Sequence, residues 1–203
     1  MVDAPRVHRR GTAVTPFTLP NLLTLGRLLS VPLIVWLISD GRMLAAFWLF
    51  VAAAVTDALD GALARLANAR SVLGDYLDPL ADKALLVSIY ITLGLQGHLD
   101  SWLVIMVVFR DVIIIGGALL LFVIADTVAV RPLFVSKVNT LMQLVLAVAV
   151  LAHLGLGYDL GALTGALTYM VAATTAASGL GYLMAWLQQV SALGAAGKGE
   201  GKR

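Results

Sequence analysis

Six stretches of apolar residues dominate the chain, near 21–39, 43–65, 72–96, 101–124, 133–154 and 160–188, with short polar links between them. A helix rises about 1.5 Å per residue, so roughly 20 apolar residues cross a hydrocarbon core of ~30 Å. None of the stretches alternates apolar and polar positions as a membrane barrel strand would. Helices and closed barrels are the structures that satisfy the whole backbone in lipid. The pattern predicts an all-α polytopic membrane protein with six transmembrane helices and a short N-terminal juxtamembrane segment. Residues 1–20 form that segment, 21–190 a single membrane domain, and the Gly- and Lys-rich residues 191–203 a disordered tail. The last apolar stretch is long and Gly-rich, so a kink or an exit from the membrane is expected there.

Composition strengthens this picture. Of 203 residues, 60% are apolar and 13% charged, against roughly 45–50% and about 25% in a soluble domain. There is no cysteine, which excludes disulfide and thiolate chemistry. The basic start (Arg6, Arg9, Arg10) precedes an apolar run too long for the core of a cleavable signal peptide, and no small-residue cleavage site follows. Cytoplasmic loops collect Lys and Arg. With the N-terminus inside, the inner side receives Arg6, Arg9, Arg10, Arg65, Arg70, Arg131, Lys198, Lys202 and Arg203, whereas the outer loops receive Arg42. Both termini are therefore expected on the inner side. Phe17, Leu19 and Pro20 suit a segment lying on an anionic leaflet.

The acids are out of place in such a chain. Eleven of the twelve are Asp, and five fall between Asp57 and Asp82, inside or at the edge of apolar stretches. A charge at the centre of a membrane helix costs ~2.5–3.5 kcal/mol on insertion scales, which makes such residues functional candidates. Asp57, Asp60, Gly61 and Ala64 stand at i, i+3, i+4 and i+7 and share one helix face; Asp78 and Asp82 share a face of the next helix. A short turn near 68–71 makes the two helices antiparallel neighbours, so the acidic faces converge at the inner boundary. Four close carboxylates require protonation or a cation. Hard oxygen donors suit Mg2+, Mn2+ or Ca2+ rather than Zn2+. Gly61 and Ala64 let a ligand approach the backbone, and the planar fork of Arg65 suits phosphate. Together these features describe a diphosphate site. The competing reading pairs the acids with Lys83, Arg65 or Arg110 as structural ion pairs.

At these residues the sequence resembles the CDP-alcohol phosphatidyltransferase family, whose pattern D-x-x-D-G-x-x-A-R-x8-G-x3-D-x3-D is met by Asp57, Asp60, Gly61, Ala64, Arg65, Gly74, Asp78 and Asp82 with every spacing kept. The resemblance extends along the chain and includes a Pro-Asn-x-x-Thr start at Pro20, Asn21 and Thr24. It implies that Asp57, Asp60, Asp78 and Asp82 hold two Mg2+ or Mn2+ ions, that Asp82 is the catalytic base, and that Thr24, Gly61, Ala64, Arg65 and Gly74 bind the CDP moiety. Asp75 lies outside the pattern and is expected to be solvated. The implied location is the bacterial cytoplasmic membrane, or the mitochondrial inner membrane if eukaryotic, with the site facing cytosol or matrix. A homodimer is implied as well; Gly157, Gly161 and Gly165 are a weak small-residue stripe for it.

The second half bears on the acceptor alcohol. Arg110 and Asp111 lie mid-segment, either as a packing ion pair with Asp82 or Lys83 or as a site for an acceptor phosphate. Lys137, with Ser136 and Asn139, either snorkels to the headgroups or binds that phosphate; acceptor binding by Arg110, Lys137 and Asn139 is the reading preferred. The text around Leu77–Lys83, Arg110–Val112, Ser136–Thr140 and Thr174–Ser178 resembles the eukaryotic-type cardiolipin synthase branch, although the segment between Ala125 and Pro132 is shorter than in its animal members. The implied reaction joins CDP-diacylglycerol and phosphatidylglycerol; the rival acceptor is glycerol 3-phosphate. No nucleic-acid partner is expected. A cation transporter built round the Asp cluster is the reading from a different class, and it leaves Arg65 and the small residues without a role.

Overall fold

The computed structural model describes the backbone over 19–67, 72–125 and 134–200, and side chains over 25–57, 83–117 and 134–188. Those residues form helices and no strand: α1 (Leu19–Ser39), α2 (Met43–Ala67), α3 (Val72–Leu95), α4 (Ser101–Ala125), α5 (Phe134–Leu156) and α6 (Gly161–Glu200). Each coincides with an apolar stretch. The juxtamembrane segment 1–20 lies almost wholly outside the described residues. The tail does not match expectation: α6 continues without a break to Glu200, so 191–200 are helical. Leu193 and the alanines 192, 195 and 196 are strong helix formers and extend a helix already nucleated upstream.

Three turns at one end of the bundle share a device. Gly41, Gly97 and Gly157 have φ of 75°, 75° and 73°, the left-handed conformation that glycine adopts without a Cβ penalty and that commonly ends helices. The amides of Gly41 and Gly97 donate to the carbonyls of Ile38 and Gly94, and those of Arg42 and His98 to Leu37 and Leu93. These bonds use up carbonyls left over at the helix ends. Gly157 thus belongs to a turn while Gly161 opens α6, so the glycines at 157, 161 and 165 do not form a stripe on one helix.

The helices close a ring in the order α1, α2, α5, α6, α4, α3 and back to α1, with α3 also reaching α5. Among the described residues α1 packs against both α2 and α3, and no direct α2–α3 packing occurs; the halves of α2 and α3 that carry the acids lie beyond the described side chains. Every helix contributes at least one fully buried side chain to the core, among them Ile34, Phe50, Ile89, Leu103, Leu146 and Val171. Close approach tightens the seams. A Cβ on Gly117 of α4 would lie 1.6 Å from the Trp186 ring of α6, and one on Gly155 of α5 would lie 2.9 Å from the Leu44 backbone of α2. The outside is apolar as well: Leu29, Trp48, Ile105, Phe109 and Tyr169 are all exposed. By length and hydropathy two spans, Phe134–Leu156 and Gly161–Gln188, are able to cross a membrane, and the other apolar stretches tested among the described residues are shorter.

Candidate functional site

At the end opposite the glycine turns, α1, α2, α3 and α5 border a cleft of about 410 Å3. Asp57 of α2 lines it, with Ala53 and Ala54 one turn earlier on the same wall; small residues there leave room beside the carboxylate. Leu85 and Leu86 of α3 form a second wall and Ser136 and Lys137 of α5 a third. Arg27 of α1 completes it. Its guanidinium is buried, and Nη2 donates to Asp57 Oδ1 at 2.5 Å, while the Asp57 side chain remains 40% exposed.

Helix register extends this geometry to the rest of the motif. Since α2 runs unbroken to Ala67, Asp60, Gly61 and Ala64 share a helix face with Asp57 by register. On α3, Asp82 shares a face with Leu85 and Leu86, at i+3 and i+4, and Asp78 and Gly74 precede it at four-residue steps. The side chains of Thr24, Asp60, Gly61, Ala64, Arg65, Gly74, Asp78 and Asp82 lie outside the described residues. Among the described residues there is no group of three or more potential metal ligands. The donor chemistry of Asp57 nonetheless fits a hard divalent cation: a partly exposed carboxylate at the start of an aspartate face, with no His, Cys or Met among the described residues that line the cleft.

The three residues expected to meet the acceptor fall into two settings. Lys137 lines the cleft, exposed, and makes no hydrogen bond or ion pair among the described residues. Arg110 is buried behind it. Its Nη1 donates to Asp111 Oδ1 at 2.5 Å, its Nη2 to Ser136 Oγ at 2.5 Å and Ser178 Oγ at 2.6 Å, and its Nε to Ser178 Oγ at 3.1 Å. Lys83 Nζ donates to the same Asp111 oxygen at 2.8 Å. This one cluster ties α3, α4, α5 and α6 together, and Arg110 pairs with Asp111 rather than standing in the cleft. Asn139 is fully buried, and its Oδ1 accepts from Thr174 Oγ1 at 2.8 Å and Thr175 Oγ1 at 2.9 Å. It joins α5 to α6 and does not line the cleft. Its Nδ2 and the Nε2 of Gln143, one turn on, are buried without a partner among the described residues.

Two participants were not singled out from the linear pattern. Arg27 is the sole charged residue between 21 and 39, and its position inside an apolar run was the available signal. Ser178 as a partner of Arg110 carried no such signal, because a lone serine is unremarkable in an apolar helix.

The sequence profile of the CDP-alcohol phosphatidyltransferases matches residues 17–190. The chain belongs to that family. Among its relatives is the chloroplastic CDP-diacylglycerol–glycerol-3-phosphate 3-phosphatidyltransferase 1 of Oryza sativa subsp. japonica, 39% identical over 182 residues that cover 81% of this chain and 55% of the relative. The CMP-forming cardiolipin synthase of Rattus norvegicus is 36% identical over 183 residues, covering 82% of this chain and 61% of the relative. The chain thus spans somewhat over half the length of these two relatives. The CDP-diacylglycerol–glycerol-3-phosphate 3-phosphatidyltransferase of Bacillus subtilis is 32% identical over 152 residues, 68% of this chain and 78% of the relative.

Proposed function

We propose that the protein transfers a phosphatidyl group from CDP-diacylglycerol to a hydroxyl of phosphatidylglycerol, yielding cardiolipin and CMP. The observation that carries this reading is the cleft in which Asp57, the first residue of the family motif, is brought to one hollow with Arg27 and the exposed Lys137. A carboxylate that begins an aspartate face, two cations and a small-residue wall suit a diphosphate and a second phosphate. The names of relatives such as the rat cardiolipin synthase support the phosphatidylglycerol acceptor.

In this reading all six helices span the bilayer, and the exposed apolar side chains face lipid. The membrane domain is 21–190, the membrane is the bacterial cytoplasmic or mitochondrial inner membrane, the cleft opens to the cytosol or matrix, and the chain works as a homodimer. Asp57, Asp60, Asp78 and Asp82 would hold two Mg2+ or Mn2+ ions, which supply charge neutralisation for the diphosphate. Thr24, Gly61, Ala64, Arg65 and Gly74 receive the CDP moiety. Asp82 accepts the proton of the acceptor hydroxyl. The acceptor oxygen then bonds to the phosphorus that carries diacylglycerol, the bond from that phosphorus to the bridging oxygen breaks, and CMP leaves. Arg65 stabilises the charge that develops on the leaving diphosphate oxygens. Lys137 orients the acceptor through its phosphate. Arg110 and Asn139 position the walls: Arg110 holds Ser136, the neighbour of Lys137, and Asn139 holds α5 against α6.

The rice relative favours a second reading, in which glycerol 3-phosphate is the acceptor. One assay decides. Purified protein is supplied with CDP-diacylglycerol, Mg2+ or Mn2+ and each alcohol in turn, and CMP and lipid products are measured. Cardiolipin formed with phosphatidylglycerol is the expected result. Phosphatidylglycerophosphate formed only with glycerol 3-phosphate would replace the acceptor, and no CMP release with any alcohol would overturn phosphatidyl transfer.

A further inference from the structure

Resting on the metal reading of the aspartate motif, we propose that Arg27 is the resident counter-ion of the cation site: it holds Asp57 when no divalent ion is present and turns to a substrate phosphate when one binds, so that cation and phosphate load together.

Arg27 sits on an apolar helix with 4% of its side chain exposed. At that depth a guanidinium requires an anion, because burying an isolated charge is costly. The structure supplies Asp57, whose Oδ1 lies 2.5 Å from Nη2. The pair is lopsided: the carboxylate is 40% exposed on the cleft side, while the guanidinium is enclosed. A divalent ion arriving through the cleft reaches Asp57 from the open side and competes for the charge that Arg27 neutralises. Once the ion is bound, Arg27 faces a cation where it had an anion. Arg27 also lines the cleft, so an incoming phosphate comes within its reach, and the planar fork of arginine matches phosphate oxygens. Lys137 lines the same cleft but pairs with no carboxylate among the described residues. The coupling is reciprocal: the phosphate ligand strengthens cation binding to the extent that the cation strengthens phosphate binding.

The test titrates the full-length protein in detergent with Mn2+, following the free-ion signal by electron paramagnetic resonance, with and without CDP as the phosphate probe. Arg27→Gln removes the competing charge. It is expected to bind Mn2+ alone about fivefold tighter than the wild type and to lose most of the enhancement that CDP confers. Arg27→Lys keeps the charge without the fork, and about a twofold tightening is expected. Arg42→Gln, in the turn at the far end, is expected to match the wild type. Mn2+ affinity unchanged or weakened in both Arg27 variants, with circular dichroism and unfolding midpoints preserved, would overturn the proposal. A wild type that binds no Mn2+ would overturn the metal reading together with this one, whereas normal Mn2+ binding abolished by Asp57→Asn would leave the metal reading standing whatever Arg27 does.

Discussion

Arg27 and Arg110 are both buried arginines on apolar helices, 5% and 4% exposed, yet their surroundings differ. Arg110 is enclosed by one carboxylate and two hydroxyls, and all three of its nitrogens donate. Arg27 shares a carboxylate that is open to a cleft. A closed set of partners makes a buried charge rigid, because each possible movement breaks several bonds in a medium where they are strong. A partner reachable from solvent can be taken by a competing ion. On the proposal above, the same side chain at the same depth would serve as a fastener in one region and as an exchangeable counter-charge in the other.

This contrast predicts which changes should affect chemistry and which should affect the fold. The largest effect belongs to the cleft: Asp82→Asn should lower transfer by about 10^2–10^4, with CDP binding by calorimetry and the unfolding midpoint retained. A fully active variant would remove the base. On the Arg110 side, Asp111→Ala leaves two cations around an empty centre and should destabilise the protein by about 3–5 kcal/mol, read as a lower unfolding midpoint in detergent. Adding Arg110→Leu should recover part of that loss; strict additivity of the two changes would show that the cluster does not act as a unit. Away from both arginines, Gly117→Ala should cost about 1–3 kcal/mol by overpacking against Trp186, and pairing it with Trp186→Leu should restore the midpoint. The smallest effect is Lys137→Met, for which the acceptor KM should rise about tenfold, equivalent to ~1.4 kcal/mol, with stability unchanged. A shifted midpoint with unchanged KM would move Lys137 to the structural side.

Much of the architecture was legible in advance. All six helices begin and end within a few residues of the apolar stretches, except where α6 runs on to Glu200. Lipid-compatible length and apolarity are properties of consecutive residues, so they survive without knowledge of packing. The tail misled because glycine and lysine suggested disorder while the alanines among them continued the helix. The aspartate motif rests on spacing, which determines which residues share a helix face; of its four acids only Asp57 is among the described side chains. Asn139 and Arg110 were harder. Both are polar residues in apolar segments, and their partners on α6 are set by packing that the linear pattern does not contain.

The sequence by itself determined that helices form here, which of their faces are acidic or small, and to which family the chain belongs. Only the tertiary structure decided that α1 lies between α2 and α3 among the described residues, that Arg27 meets Asp57, and that Ser178, 68 residues away in the chain, completes the setting of Arg110. The reason is physical. Periodicity is local and repeats every 3.6 residues, whereas the partner of a buried charge is whichever group the packing of distant helices brings within hydrogen-bond reach.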